Sequence, residues 1–120
     1  MMTYSQSTGR LMLGRTVIGV GYSGAGIGLN NPDLDDVRNV GPIPRGIWRI
    51  GAPFDHRTKG PAVLRLTPTP GCDVHERSGF LIHGDSIAHP GTASQGCIVL
   101  PRAARRRIVT SGARALTVIR

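Results

Sequence analysis

Residues 80–100 read Phe-Leu-Ile-His-Gly-Asp-Ser-Ile-Ala-His-Pro-Gly-Thr-Ala-Ser-Gln-Gly-Cys-Ile-Val-Leu. Phe80 to His83 is the most apolar short run of the second half of the chain, which predicts a buried strand with His83 emerging at its end. Ile98 to Leu100 is a short apolar stretch that leads to Pro101. Between them lies a loop of Gly, Ser, Thr and Pro, with Ser94-Gln95-Gly96-Cys97 at its far side. His83 precedes Cys97 by fourteen positions, a gap that a strand and a returning loop can close.

Working outward, Pro101 has the fixed φ that suits the first position of a helix. A helix from Pro101 to about Thr110 would put Leu100, Ala104 and Ile108 on one stripe and gather Arg102, Arg105 and Arg106 elsewhere. Ser111-Gly112 stops it, and Ala115 to Ile119 reads as a closing strand. On the other side, Ala62 to Leu66 and Ile47 to Ile50 read as strands, with Gly51 to Pro61 as a loop. Gly41-Pro42-Ile43-Pro44-Arg45-Gly46 is a rigid turn, because its two prolines fix φ and remove two donors. Asp33 to Val40 predicts an irregular helical turn. The N-terminal part predicts an antiparallel meander of Thr3 to Gln6, Arg10 to Leu13 and Thr16 to Tyr22. The expectation is one mainly β domain, residues 1–120, with one short amphipathic helix near the C-terminus.

The composition agrees. A chain of 120 residues fits one core, and 17 glycines and 9 prolines against five aromatics favour turns and strand edges over helix. No run approaches the roughly 18 to 20 apolar residues of a membrane span, and Met1 to Arg10 lacks the pattern of a signal peptide. The expectation is a cytosolic product with no membrane span, needing other means of export to act elsewhere. The net charge of +8, carried by 14 arginines and one lysine, favours a polyanionic partner: nucleic acid, anionic lipid or the acidic bacterial envelope. Cys72 and Cys97 permit one disulfide at most, too few for a stapled scaffold.

Several chemistries compete. Gly19, Gly21 and Gly24 form a nominal G-x-G-x-x-G, but Asn30-Asn31-Pro32 follows where a dinucleotide fold needs a helix, so a close-packed loop is the better reading. His83, Asp85, His89 and Cys97 are all competent zinc ligands, which makes a zinc peptidase using His83, Asp85 and His89 the rival enzyme. The arginines of Pro101 to Val109 raise a basic nucleic-acid-binding module, although scattered aromatics offer no stacking platform and nucleic acid is not expected. His56 and His75 sit in turn-rich segments and read as solvated. Cysteine chemistry needs a thiol, a base and donors for a developing oxyanion. Cys97, His83 and the N–H groups around Gly96 and Cys97 supply candidates for all three.

His-Gly followed by a polar loop and Ser-x-Gly-Cys-Ile resembles the signature of the YkuD-type L,D-transpeptidases, which rework bacterial peptidoglycan. Tyr4 to Leu11 and Gly41 to Gly46 resemble the compact type VI secretion effectors of this group. The resemblance implies a β-sandwich-like catalytic domain with Cys97 as nucleophile, His83 as base, and Ser94, Gln95 and Gly96 as nucleophile loop and oxyanion site. Gly84, His89, Arg77 and Arg102 are the candidate substrate-binding residues, the two arginines because Val99 stands where the family often has arginine. It implies acyl transfer on tetrapeptide stems, with release of D-Ala and with water or an amine as acceptor. No cofactor or metal is called for. The implied setting is an exported antibacterial toxin active in the periplasm of a target bacterium, with an immunity protein and a secretion apparatus as partners.

Overall fold

The computed structural model describes residues 1–120. β1 (Met2–Ser5), β2 (Arg10–Leu13) and β3 (Thr16–Val20) form the expected antiparallel meander. Gly21 interrupts the next strand, and β4 is only Tyr22–Ser23. A 3-10 turn at Pro32–Leu34, capped by the Asn31 side chain accepting from the Asp33 N–H at 3.1 Å, is the regular part of the anticipated irregular helical segment. β5 (Gly46–Ile50), β7 (Gly60–Pro68), β8 (Leu81–His83) and β10 (Ala115–Ile119) fall on the predicted strands, and β9 (Ile98–Val99) forms in the apolar segment that leads to Pro101. β6 (Phe54–His56) does not, since it lies inside the segment read as a loop. It pairs with β7 through an irregular register, and only Phe54 is apolar, so no alternation marks it in the sequence.

The strands form one ten-stranded sheet in the order β3-β2-β1-β10-β5-β7-β8-β9-β4, with β6 hydrogen-bonded to β7 off this path. β1 with β10 and β8 with β9 are parallel, and the other pairs are antiparallel. The two ends of the path, β3 and β4, are consecutive in sequence and separated only by Gly21. One stretch of backbone therefore joins both edges, and the sheet curls into a nearly closed, barrel-like form rather than two separate layers. Gly21 permits the closure because any Cβ there would collide with the Val99 carbonyl. Gly19 is similarly pressed against Ala104, so the nominal nucleotide motif is a packing device.

Inside the curl, Tyr4, Leu11, Trp48, Leu64, Ile82 and Ile98 are fully buried, and Trp48 meets Phe80 edge-on with ring centroids 5.0 Å apart. The helix, α1 (Arg102–Ser111), inserts Ala104 and Ile108 into this core and ends at Gly112 with φ +72°. Pro101 is its N-cap. The expected arginine face is smaller than the sequence implies, because Arg105 is buried. Its Nε donates to the Leu100 carbonyl at 3.1 Å, and Nη1 donates to the Pro61 and Ala62 carbonyls at 2.9 and 2.8 Å. No helix is long and apolar enough to cross a membrane.

Candidate active site

The Ser94–Cys97 loop takes its shape from two buried hydroxyls and one buried guanidinium. Ser94 Oγ donates to the Cys97 carbonyl at 2.6 Å and accepts from the N–H groups of Gly24 and Gly96 at 2.9 and 3.0 Å. Ser23 Oγ donates to the Gly96 carbonyl at 2.9 Å and accepts from the Ile43 N–H at 2.8 Å. Arg77, on the turn before β8, places Nη1 on the carbonyls of Asp35 and Pro42 at 2.7 and 2.8 Å. Its Nη2 reaches those of Gly41 and Gln95 at 2.9 and 3.3 Å. The Gly41–Gly46 turn is thus tied to the Ser94–Cys97 loop from two sides. Gly96 is required here: its φ is +140°, and a Cβ would lie 2.5 Å from Arg77 Nη2.

β8 and β9 run parallel with Ile82 opposite Ile98 and His83 opposite Val99. Ile82 and Ile98 point into the core, so alternation turns His83 and Cys97 to the other face. Cys97, one step before β9, falls opposite Leu81. Two rises along one strand and one interstrand step put its α-carbon roughly 8 Å from that of His83, within reach of the two side chains. The sulfur is not hydrogen-bonded to the imidazole here, since its nearest acceptor is the Gly79 carbonyl at 3.6 Å.

His83 is buried, and its Nδ1 lies 2.7 Å from the Gly84 carbonyl. A carbonyl only accepts, so Nδ1 carries the proton and Nε2 is left with a lone pair. Nε2 is buried without any partner. Burial lowers the His83 pKa below 6.5, with the Gly84 bond opposing and the charges of Lys59, Arg105 and His56 reinforcing. Burial raises the Cys97 thiol above 9.0, against the Leu81 N–H and the charges of Lys59 and Arg77. The resting pair is a neutral thiol and a neutral imidazole.

Cys97 opens onto a cleft of about 510 Å³. Gln95, Gly96 and Arg77 line it with Cys97, as anticipated, and so do Arg38, His56 and Lys59, which sequence reading did not select. His56 is half-buried rather than solvated. The missed signal was the β6–β7 hairpin, which carries His56 and Lys59 and holds the chain's one lysine. Three candidate substrate-binding residues lie away from this cleft. Gly84 is committed to His83 and packs against Arg105, His89 is fully on the outer loop, and Arg102 is on the exposed side of α1. The Gly96 N–H is already bonded to Ser94, so it is not a free oxyanion donor.

The loop after β8 is organised by Tyr22 and Asp85. Tyr22 donates to Asp85 Oδ1 at 2.6 Å and accepts from the Ala93 N–H at 2.9 Å. Burial and the adjacent carboxylate push the Tyr22 pKa up to about 12. Asp85 also accepts from the N–H groups of Ser86 and Gly91. Its oxygens are therefore engaged, and no three His, Cys, Asp or Glu side chains converge in a group able to hold a metal ion. The zinc alternative has no assembled site. Cys72 and Cys97 are both free thiols.

A small mainly β protein with a thiol, a buried unpartnered imidazole and a basic cleft is the class that fold and site define. Residues 19–118 match the family described as the Tlde1 domain, and the chain belongs to it. Membership points to a type VI secretion effector, consistent with an antibacterial one, and implies secretion. Neither the curated proteins nor the solved structures gave a match.

Proposed function

We propose that the protein is a cysteine acyl-transfer enzyme acting on peptidoglycan tetrapeptide stems, an L,D-carboxypeptidase or an L,D-transpeptidase that exchanges D-amino acids. The carrying observation is the His83 ring, tied at Nδ1 to Gly84 and bare at a buried Nε2, on the same face as Cys97. Cys97 gives its proton to Nε2 as sulfur attacks the carbonyl before the terminal D-Ala. The tetrahedral intermediate collapses, His83 returns the proton to the leaving amine, and D-Ala departs to leave a thioester. Water then yields a tripeptide and regenerates the thiol, or an amine yields an exchanged or cross-linked stem. With the Gly96 N–H committed, the Cys97 N–H is the backbone donor assigned to the oxyanion.

In this reading the enzyme is delivered by a type VI apparatus, works in the periplasm of the target cell, and is held in check in its producer by an immunity protein that covers the cleft. The muropeptide masses after incubation with the protein test it. Tripeptide products or exchanged stems are expected, with at least about a thousandfold loss in Cys97→Ala. Unchanged turnover in that variant sinks the assignment.

A further inference from the structure

We propose that the β6–β7 hairpin is a carboxylate clamp, in which Lys59 and His56, helped by Arg38, hold a carboxylate of the substrate beside the bond attacked at Cys97. The proposal rests on the acyl-transfer reading and assigns the substrate-binding end of that site.

The cleft is lined by Arg38, His56, Lys59 and Arg77 and by no aspartate or glutamate. An excess of cations without local anions selects an anionic ligand. Arg77 contributes charge, but all four terminal N–H groups have backbone carbonyls to serve, two on each nitrogen. That fork leaves no terminal N–H for a ligand, and the other side-chain donors of the cleft include Lys59, His56 and Arg38. Lys59 is exposed, and its ammonium makes no ion pair or hydrogen bond. Lys59 and Cys97 line the same cleft, so a ligand held by Lys59 lies in the space onto which the thiol opens.

His56 is set up as a second donor. Its Nδ1 accepts from the N–H groups of Thr58 and Lys59, each at 3.1 Å, so the neutral ring carries its proton on Nε2. The same two bonds fix the turn from which Lys59 projects, so less freedom is lost when a ligand binds. Arg38 spends one donor on the Glu76 carbonyl at 3.2 Å and keeps others. A cleft of about 510 Å³ suits a peptide end rather than a polymer surface. Two carboxylates of a stem meet this description, the C-terminal one on the leaving residue and a side-chain one upstream.

Binding to Cys97→Ala, measured by titration calorimetry, separates recognition from turnover. The probes are a synthetic stem tetrapeptide, the same peptide with a C-terminal amide, and the same peptide amidated on its side-chain carboxylates. Adding Lys59→Met is expected to weaken the free acid about tenfold, as one lost charge-assisted contact implies, and Lys59→Arg to restore most of it. Amidation of the carboxylate that Lys59 holds should cost the same and add nothing in the Lys59→Met background. Equal binding of all three peptides by parent and Lys59→Met overturns the clamp, as does an absence of binding at millimolar peptide. The acyl-transfer reading is scored separately. Lys59-dependent binding without turnover by the wild-type protein keeps the clamp and removes the enzyme, whereas Cys97-dependent turnover with an unchanged KM in Lys59→Met does the reverse.

Discussion

The floor of the cleft and its rim are built on opposite rules. On the floor, Ser23, Ser94 and Arg77 are buried, and each hydroxyl and each terminal guanidinium N–H meets a backbone group. On the rim, Lys59 has no partner and His56, fixed at Nδ1 by its turn, has none at Nε2. Three buried side-chain atoms have no partner, Tyr4 Oη, Gln6 Oε1 and His83 Nε2, and only the last is the basic nitrogen of an imidazole. Unsatisfied polar atoms are costly inside and cheap outside. In the proposed reading, the one basic nitrogen among these atoms, on the strand face that Cys97 shares, is the group for chemistry, and the rim is the part for recognition.

The comparison can be broken at His83 first. His83→Gln keeps a buried amide able to bond Gly84 but lacks a basic nitrogen, so the fold should survive and turnover should fall about 10²- to 10⁴-fold. A variant that keeps its melting temperature and its rate would end the distinction between His83 Nε2 and the rest of the floor. Arg77→Lys comes next. One ammonium cannot span four carbonyls, so several buried carbonyls lose their donor and stability should drop by about 3 kcal/mol or more, read by thermal unfolding. A parent-like melting temperature would show the floor to be less tightly held than its hydrogen bonds imply.

The smallest effect is the pH dependence of stability. His83 has a folded pKa below 6.5, so as pH falls through 6.5 the unfolded chain takes up a proton that the folded one resists. Its contribution is complete above 6.5 and is lost on going down toward the folded value. Cys97 and Cys72 are raised above 9.0, both chiefly by burial, so their contribution is complete below 9.0 and is lost as pH rises through it. A melting curve against pH should show a plateau between these limits, falling about a few degrees on the acid side, and His83→Gln should flatten that acid fall. The rate should keep its neutral-imidazole form to a pH below 6.5, and an acid limb centred above 6.5 would contradict the burial of His83.

The strands around Trp48, Leu64 and Ile82 were legible because alternation or short apolar runs mark buried strands, and α1 because Leu100, Ala104 and Ile108 share a stripe. Cys97 and Arg77 were legible as residue types, and the structure places both on one cleft. Gly84, His89 and Arg102 were chosen by nearness in sequence or by charge, and neither states which face a side chain takes. Arg105 was misread for the same reason: one turn of helix decides between water and the Pro61 and Ala62 carbonyls.

By itself, the sequence of residues 80–100 determined one short buried strand ending in a histidine, then a polar loop that ends in a cysteine before a short apolar stretch, because hydrophobic runs and turn chemistry are local properties. Tertiary structure alone decided that the strand and that stretch pair in parallel, that Gly21 lets the sheet curl back on itself, and that a distant hairpin brings Lys59 and His56 to the thiol. Those facts depend on which backbones approach closely and which polar atoms remain without partners, and both are settled only when the whole chain is packed.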